Sequence, residues 1–447
     1  MDLRERIASL MGRARADLAE LVAIPSVADS RQYPPEECAR AARWVRDAFA
    51  GAGLSDAWLA EMADGSQAVL GSRRCADPDA ATVLLYAHYD VQPPLDDAAW
   101  RTPPFELTEV DGRWYGRGAA DCKGNILMHL TALRALGDQL PVHLKLVVEG
   151  SEETTGALEQ FVPGHADLLR ADAILVGDAG NAAVGHPAVT VSLRGVADVI
   201  VRVDALASEL HSGLFGGAAP DALAALVAML ATLRDGRGNT TVRGLDNTQV
   251  WSGAPYPPQT FHADAGVLEG VSLLGDGTVA DMVWSRPAVT ILGIDCPPVV
   301  GSAPAITPRA SARLNLRVPP GTQIGDAAET LVSQLHAVAP WGVHVTAEIE
   351  APGPAFLAKT GGPAYQAIAA AMQEAYGRPM ATLGDGGSIP LCNVLADTYP
   401  DAELILMGVE EPSALIHAPN ESVDPAEIAA MALTEALFLQ RYAAIRG

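Results

Sequence analysis

The stretch LLYAHYDVQP, residues 84–93, sets the reading of the whole chain. Val83 to Ala87 form a short unbroken apolar run, which fits a strand buried on both faces, as in a parallel sheet. The run delivers His88 and Asp90 to its end, and side chains two apart in extended backbone point the same way. An imidazole and a carboxylate aimed together do not belong in a dry core, so the tip of this strand reads as the rim of a site.

Outward from this strand, apolar runs alternate with helical patterns: ATVLLYAH, GNILMHLTALRALG, HLKLVVEG, a helical segment from Leu158 to Leu169, and ADAILVGD. That alternation predicts an α/β layer with a mostly parallel sheet and helices on both faces. From Pro187 the texture changes, and AVTVSLRGVADVIVRVDAL reads as two alternating strands around Gly195, an antiparallel pattern. An Ala-rich helix follows Pro220, then an aperiodic stretch rich in Pro, Gly and Trp over 239–284. The order strand, helix, strand, strand, helix, strand reads as a small α+β domain inserted into the first. The expected division is a first domain of 1–187 and 353–447 interrupted by an inserted domain of 188–352. The α/β pattern resumes with GGPAYQAIAAAMQEAYG, AELILMGV and a closing helix from Pro425.

Bulk properties narrow the function. The 447 residues carry 30 basic and 54 acidic side chains, a formal charge of -24, which repels polyphosphate backbones and anionic membrane surfaces. No nucleic-acid partner and no membrane association are expected. Cys38, Cys75, Cys122, Cys296 and Cys392 are scattered with no C-x-x-C pair, so neither a disulfide framework nor a thiolate zinc site is indicated, and reduced thiols in the cytoplasm fit. The N-terminal segment alternates charge with apolar positions at helical spacing and reads as a first helix, and no stretch reaches the roughly 18 apolar residues of a membrane span.

Acidic and imidazole groups gather at the ends of the apolar strands. His88 and Asp90 follow the first, Glu152 and Glu153 follow HLKLVVEGS, Asp178 ends ADAILVGD, His417 comes after AELILMGV, and Asp121 lies in GRGAADCKGN at the start of a helix. Ligand sites of open α/β sheets form outside the carboxyl ends of the strands. Crowded carboxylates with only Arg117 and Lys123 nearby in sequence repel one another, and a bound cation is the usual remedy. Two His and several carboxylates without Cys suit zinc, manganese or cobalt and exceed what one tetrahedral ion needs, so two divalent ions are expected. GGSIP lacks the final Gly of a nucleophile elbow, and GRGAADCKG has neither nucleotide-loop spacing.

The motifs AHYDVQP, WYGRGAADCKGN, VVEGSEETTG, VGDAG, ELHSGLFGG and HAPNES, in this order along nearly the whole chain, resemble the metallopeptidase M20 family, more narrowly its cytosolic dipeptidase and carnosinase-like branch. The resemblance implies a catalytic α/β domain with an inserted lid and dimerisation domain, and a homodimer. It implies that His88, Asp121 and Asp178 hold one ion, that Asp121, Glu153 and His417 hold the other, and that Asp90 orients His88. Glu152 would be the general base for attack by a metal-bound hydroxide on the peptide bond of a dipeptide or short peptide with a free C-terminal residue. The peptide bond between Asp121 and Cys122 is expected to be cis. His211, in a Gly-rich loop, would stabilise the oxyanion across the dimer. Arg309, with Gly387 and Ser388 of GDGGSIP, would bind the substrate carboxylate. The chain departs from the family at Gly384 and Asp385, where members often carry Arg-Glu. The alternative is an M20-type deacylase of N-acyl amino acids; a non-catalytic metal-binding protein is disfavoured by Glu152, which would have no ligating task.

Overall fold

The computed structural model describes residues 1–446. The chain separates into two compact units, one of residues 1–191, 358–383 and 390 onward, the other of 192–357 and 384–389.

In the first unit the central strands lie in the order Trp58–Glu61, Gln67–Arg73, His143–Glu149, Thr82–His88, Ala173–Gly177, Glu403–Met407 and Ala188–Leu193. The four from His143–Glu149 to Glu403–Met407 run parallel, and the flanking strands pair antiparallel. Burial follows direction: Val83 to His88 and Ala173 to Gly177 are buried at every position, as strands covered on both faces must be.

Helices close the layer. Leu3–Val22 begins at a capping box, in which Asp2 Oδ1 accepts from Glu5 N at 2.8 Å and Glu5 Oε2 accepts from Asp2 N at 3.0 Å. Lys123–Leu136 is buried along nearly its whole length and packs against Leu3–Val22 and the closing helix Pro425–Arg446. Among the described residues, Pro425–Ile445 is the one helix long and apolar enough to cross a membrane, which the sequence reading did not flag. Its apolar surface is taken up by Lys123–Leu136, Pro363–Tyr376 and Leu3–Val22, and Glu427, Thr434 and Glu435 are buried along it. It is a core helix of this unit.

The second unit holds an antiparallel sheet in the order Ala288–Asp295, Arg309–Val318, Gly195–Asp204 and His344–Gly353. Alternate residues Ala310, Ala312, Leu314, Leu316 and Val318 face a core shared with Leu226, Leu331 and Leu335 of helices Ala222–Ala231 and Ile324–Ala337. The break around Gly195 is not a hairpin. The strand before it, Ala188–Leu193, enters the sheet of the first unit, and the strand after it is central in the second.

Candidate metal centre

Because four parallel strands are neighbours, the segments leaving their carboxyl ends lie side by side. His88 is the last residue of its strand, Asp178 follows Ala173–Gly177, Glu152 and Glu153 lie in the turn after His143–Glu149, and His417 is in the segment after Glu403–Met407. Asp121 precedes Lys123–Leu136, and the peptide bond from Asp121 to Cys122 is cis. Ligand atoms of His88, Asp121 and Asp178 form one compact group, those of Asp121, Glu153 and His417 a second, and those of His88, Glu152 and Glu153 a third.

Asp121 stands between the first two groups. Its Oδ1 lies 3.0 Å from His88 Nε2, which is also 3.1 Å from Asp178 Oδ1. Its Oδ2 lies 2.8 Å from His417 Nε2, which is 3.2 Å from Glu153 Oε1. Each carboxylate oxygen of one side chain therefore faces a different imidazole and a different further acid.

The hydrogen bonds test whether these residues suit cations. His88 Nδ1 lies 3.0 Å from the backbone oxygen of Asp90, an atom that only accepts, so Nδ1 carries a proton. In the neutral ring the Nε2 lone pair then points at two carboxylate oxygens, an arrangement that needs a positive charge between them. Glu153 Oε1 is buried without a hydrogen-bond donor and lies 3.2 Å from His417 Nε2, while Glu153 Oε2 accepts from Gln92 Nε2 at 2.7 Å. The donor set, imidazole nitrogen and carboxylate oxygen in two groups sharing Asp121, fits two divalent ions.

The acid–base balance of the cluster agrees. The Asp121 carboxylate and then the Glu153 carboxylate, both beside Nε2, push the His417 imidazole up to about 11. Burial alone would depress His88, yet the carboxylates of Asp178 and Asp121 around it prevail and raise it. Burial, reinforced by the Asp178 charge, lifts Glu152 well above the carboxylate range. Protons thus collect where the donor geometry suits cations. Cys122 is close to His88, Asp121 and Asp178, but burial pushes its thiol up to about 12 and its Sγ donates to Gly177 O at 2.8 Å, so it remains a protonated thiol.

The Asp90 side chain also reaches the turn after His143–Glu149. Its carboxylate oxygens accept from the backbone N–H groups of Glu152 at 3.2 Å and Glu153 at 3.0 Å, and Oδ1 lies 3.4 Å from His88 Nδ1. The residue therefore fixes the Glu152–Glu153 turn against the end of the His88 strand. Three side chains around the cluster, Glu410 and Glu421 buried and Gln92 half-buried, escaped the sequence reading. Gln92 holds Glu153; Glu410 accepts from Asn125 Nδ2 at 2.9 Å; Glu421 binds the loop carrying Asp121. Gln92 and Glu421 lie within motifs quoted from the sequence, but their partners are distant along the chain.

The remaining predicted residues belong to the second unit. His211 is exposed, pairs with Ala305 beside it, and its Nδ1 accepts from Gly213 N at 3.1 Å. Arg309 is exposed and its Nε lies 2.9 Å from Asp204 Oδ1. In the 384–389 turn, Gly387 N donates to Asp385 Oδ1 at 2.6 Å, with Ser388 next in the chain. A Cβ at Gly384 would lie 2.6 Å from the Trp284 side chain, itself stacked on Tyr256, so the turn has no room for a larger residue as Trp284 stands.

Residues 84–441 match the family model described as Peptidase family M20/M25/M40. The chain belongs to this peptidase family. A cysteinylglycine-S-conjugate dipeptidase of Corynebacterium striatum is 43% identical over 439 residues, spanning 95% of this chain and 94% of that protein. A Beta-Ala-His dipeptidase of Rattus norvegicus is 28% identical, over 78% of this chain and 74% of that one. Among solved structures, human carnosine dipeptidase 1 superposes with a TM-score of 0.82 at 25% identity, covering 98% of each chain. The M20 membership makes the chain a metallopeptidase, and the mixed α/β architecture of the family is the one described above.

Proposed function

We propose that this M20 peptidase is a dipeptidase that hydrolyses the peptide bond of dipeptides or short peptides with a free C-terminal residue, using two divalent ions, zinc before manganese or cobalt. The observation that carries the two-ion reading is Asp121, whose two oxygens each face a separate imidazole–carboxylate pair. His88, Asp121 and Asp178 would hold one ion, and Asp121, Glu153 and His417 the other. When bound, the ions polarise the scissile carbonyl and lower the pKa of a water.

The chain's own residues do the rest. Glu152 stands within the His88–Glu153 group, and its raised proton affinity suits a base that takes a proton from water and passes it to the leaving amine. Asp90 keeps that carboxylate in place through the two backbone N–H bonds. His211 would donate to the developing oxyanion from the partner subunit of a homodimer. Arg309 would exchange its exposed partner Asp204 for the substrate carboxylate, a small loss because exposed ion pairs contribute little, and the N–H groups and hydroxyl at Gly387 and Ser388 would share that carboxylate. A reduced compartment, the cytoplasm, suits the five unpaired cysteines.

Identity of 43% to a dipeptidase over 95% of the chain favours peptides over N-acyl amino acids. The test is to incubate metal-reconstituted protein with a mixed library of dipeptides, S-conjugated Cys-Gly among them, and N-acyl amino acids. Selective loss of dipeptides is the expected result; selective loss of the acyl compounds would establish the deacylase instead.

A further inference from the structure

The segment that carries His417 is held in an unfavourable backbone. Leu415 (φ 53°), His417 (φ 62°) and Asn420 (φ 68°) all adopt the left-handed region, which non-glycine residues keep only when neighbours over-determine it. The neighbours here can be named. Arg117 Nη2 donates to Ala418 O at 3.3 Å and to Pro93 O at 3.2 Å, and Asn420 accepts from Arg101 N at 2.7 Å and donates to Ala99 O at 2.9 Å.

Glu421 closes the segment, is fully buried, and serves four donors. Its Oε1 accepts from Ala120 N at 3.1 Å and Asp121 N at 3.0 Å, and its Oε2 from Gly118 N at 3.0 Å and Arg117 Nη1 at 2.6 Å. Its backbone oxygen also accepts from Gly116 N at 3.0 Å. One carboxylate thus joins the loop of Asp121 to the segment of His417, about 300 residues apart in sequence. An acid wrapped by backbone N–H groups and paired with a buried guanidinium holds geometry more tightly than neutral contacts do.

We infer that Glu421, braced by Arg117, is a positioning residue that sets the His417 imidazole against the Asp121 carboxylate and so governs the ion on the His417 side. This rests on the two-ion reading above. The other ion would share Asp121, but its His88 and Asp178 come from the ends of buried strands that Glu421 does not touch. Loss of the brace therefore acts unevenly on the two ions.

The experiment titrates metal-stripped wild type, Glu421→Gln and Arg117→Lys with zinc against a chromophoric chelator, and follows the visible spectrum with cobalt. In Glu421→Gln an amide NH₂ replaces one acceptor and faces two donors. The expected result is a dissociation constant raised about 10- to 100-fold for one ion, the one that His417→Ala removes, and changed less than about threefold for the other. Arg117→Lys, which keeps charge but loses the fork to Pro93 and Ala418, should show the same selectivity and serves if Glu421→Gln does not fold. Both constants rising in step with a lower melting temperature of the stripped protein would make Glu421 a general fold element and overturn the inference, as would two unchanged constants. A wild type that binds fewer than two ions would overturn the two-ion reading itself.

Discussion

Asp90 offers the sharpest test of how the stretch at residues 84–93 works, because one buried carboxylate meets the backbone N–H groups of Glu152 and Glu153 and lies near the His88 ring. Asp90→Asn keeps the size and one oxygen but presents an amide NH₂ to the other N–H, losing a charge-assisted hydrogen bond and leaving a buried donor unpaired. Such a bond contributes about 1.5–3 kcal/mol. Taking about 2 kcal/mol, and a tenfold rate change per about 1.4 kcal/mol, displacement of the Glu152–Glu153 turn should lower kcat/KM on a dipeptide about 30-fold. His88 retains its bond to the Asp90 backbone oxygen, so the ion on the His88 side should stay bound. The assay is steady-state hydrolysis with bound metal measured per chain. Activity within about threefold of wild type, with both ions present, would refute the claim that the Asp90 carboxylate fixes the turn.

Two further outcomes follow from neighbouring acids. Glu152→Gln should lower turnover by about 10²- to 10⁴-fold with both ions retained, measured by hydrolysis beside elemental analysis; near-normal turnover would remove Glu152 from the role of base. Glu149, pushed up to about 8 by burial against the Leu158 N–H that favours its charge, gives a pH signature. Between its ordinary value near 4.5 and about 8 the unfolded chain releases a proton that the folded chain keeps, so stability falls as pH rises through that window. Glu149→Gln should flatten the fall, on the order of 4 kcal/mol, in chemical denaturation compared at pH 5 and pH 8.5; equal slopes for the two proteins would reject the protonated state.

What could be read from the sequence was what local pattern encodes. The unbroken run from Val83 to Ala87 marked a strand covered on both faces, and strands alternating with helices placed His88, Glu152, Glu153 and Asp178 on one edge. Other features depend on partners far along the chain. Glu421 reads as a tail of the His417 motif until the loop at Gly118 to Asp121 folds onto it. The Asp90 carboxylate lies beside His88, close to it in sequence, but it also accepts from residues 62 and 63 positions away, which no local pattern reveals. Antiparallel flanks of the first sheet were equally hidden, since Ala188–Leu193 alternates no differently from the strand it precedes.

The placement of Glu403–Met407 between Ala173–Gly177 and Ala188–Leu193 has a bearing on how the molecule is made. A nascent chain lays down both neighbours long before the strand that belongs between them emerges, and His417 travels with that late arrival. On the proposed assignment an ion on that side would not be held before residue 417 has emerged, and the waiting slot must stay unsealed for more than 200 residues of elongation. A ribosome stalled or a chain clipped before residue 403 leaves a sheet split at its middle, a species suited to chaperones and proteases rather than to partial activity.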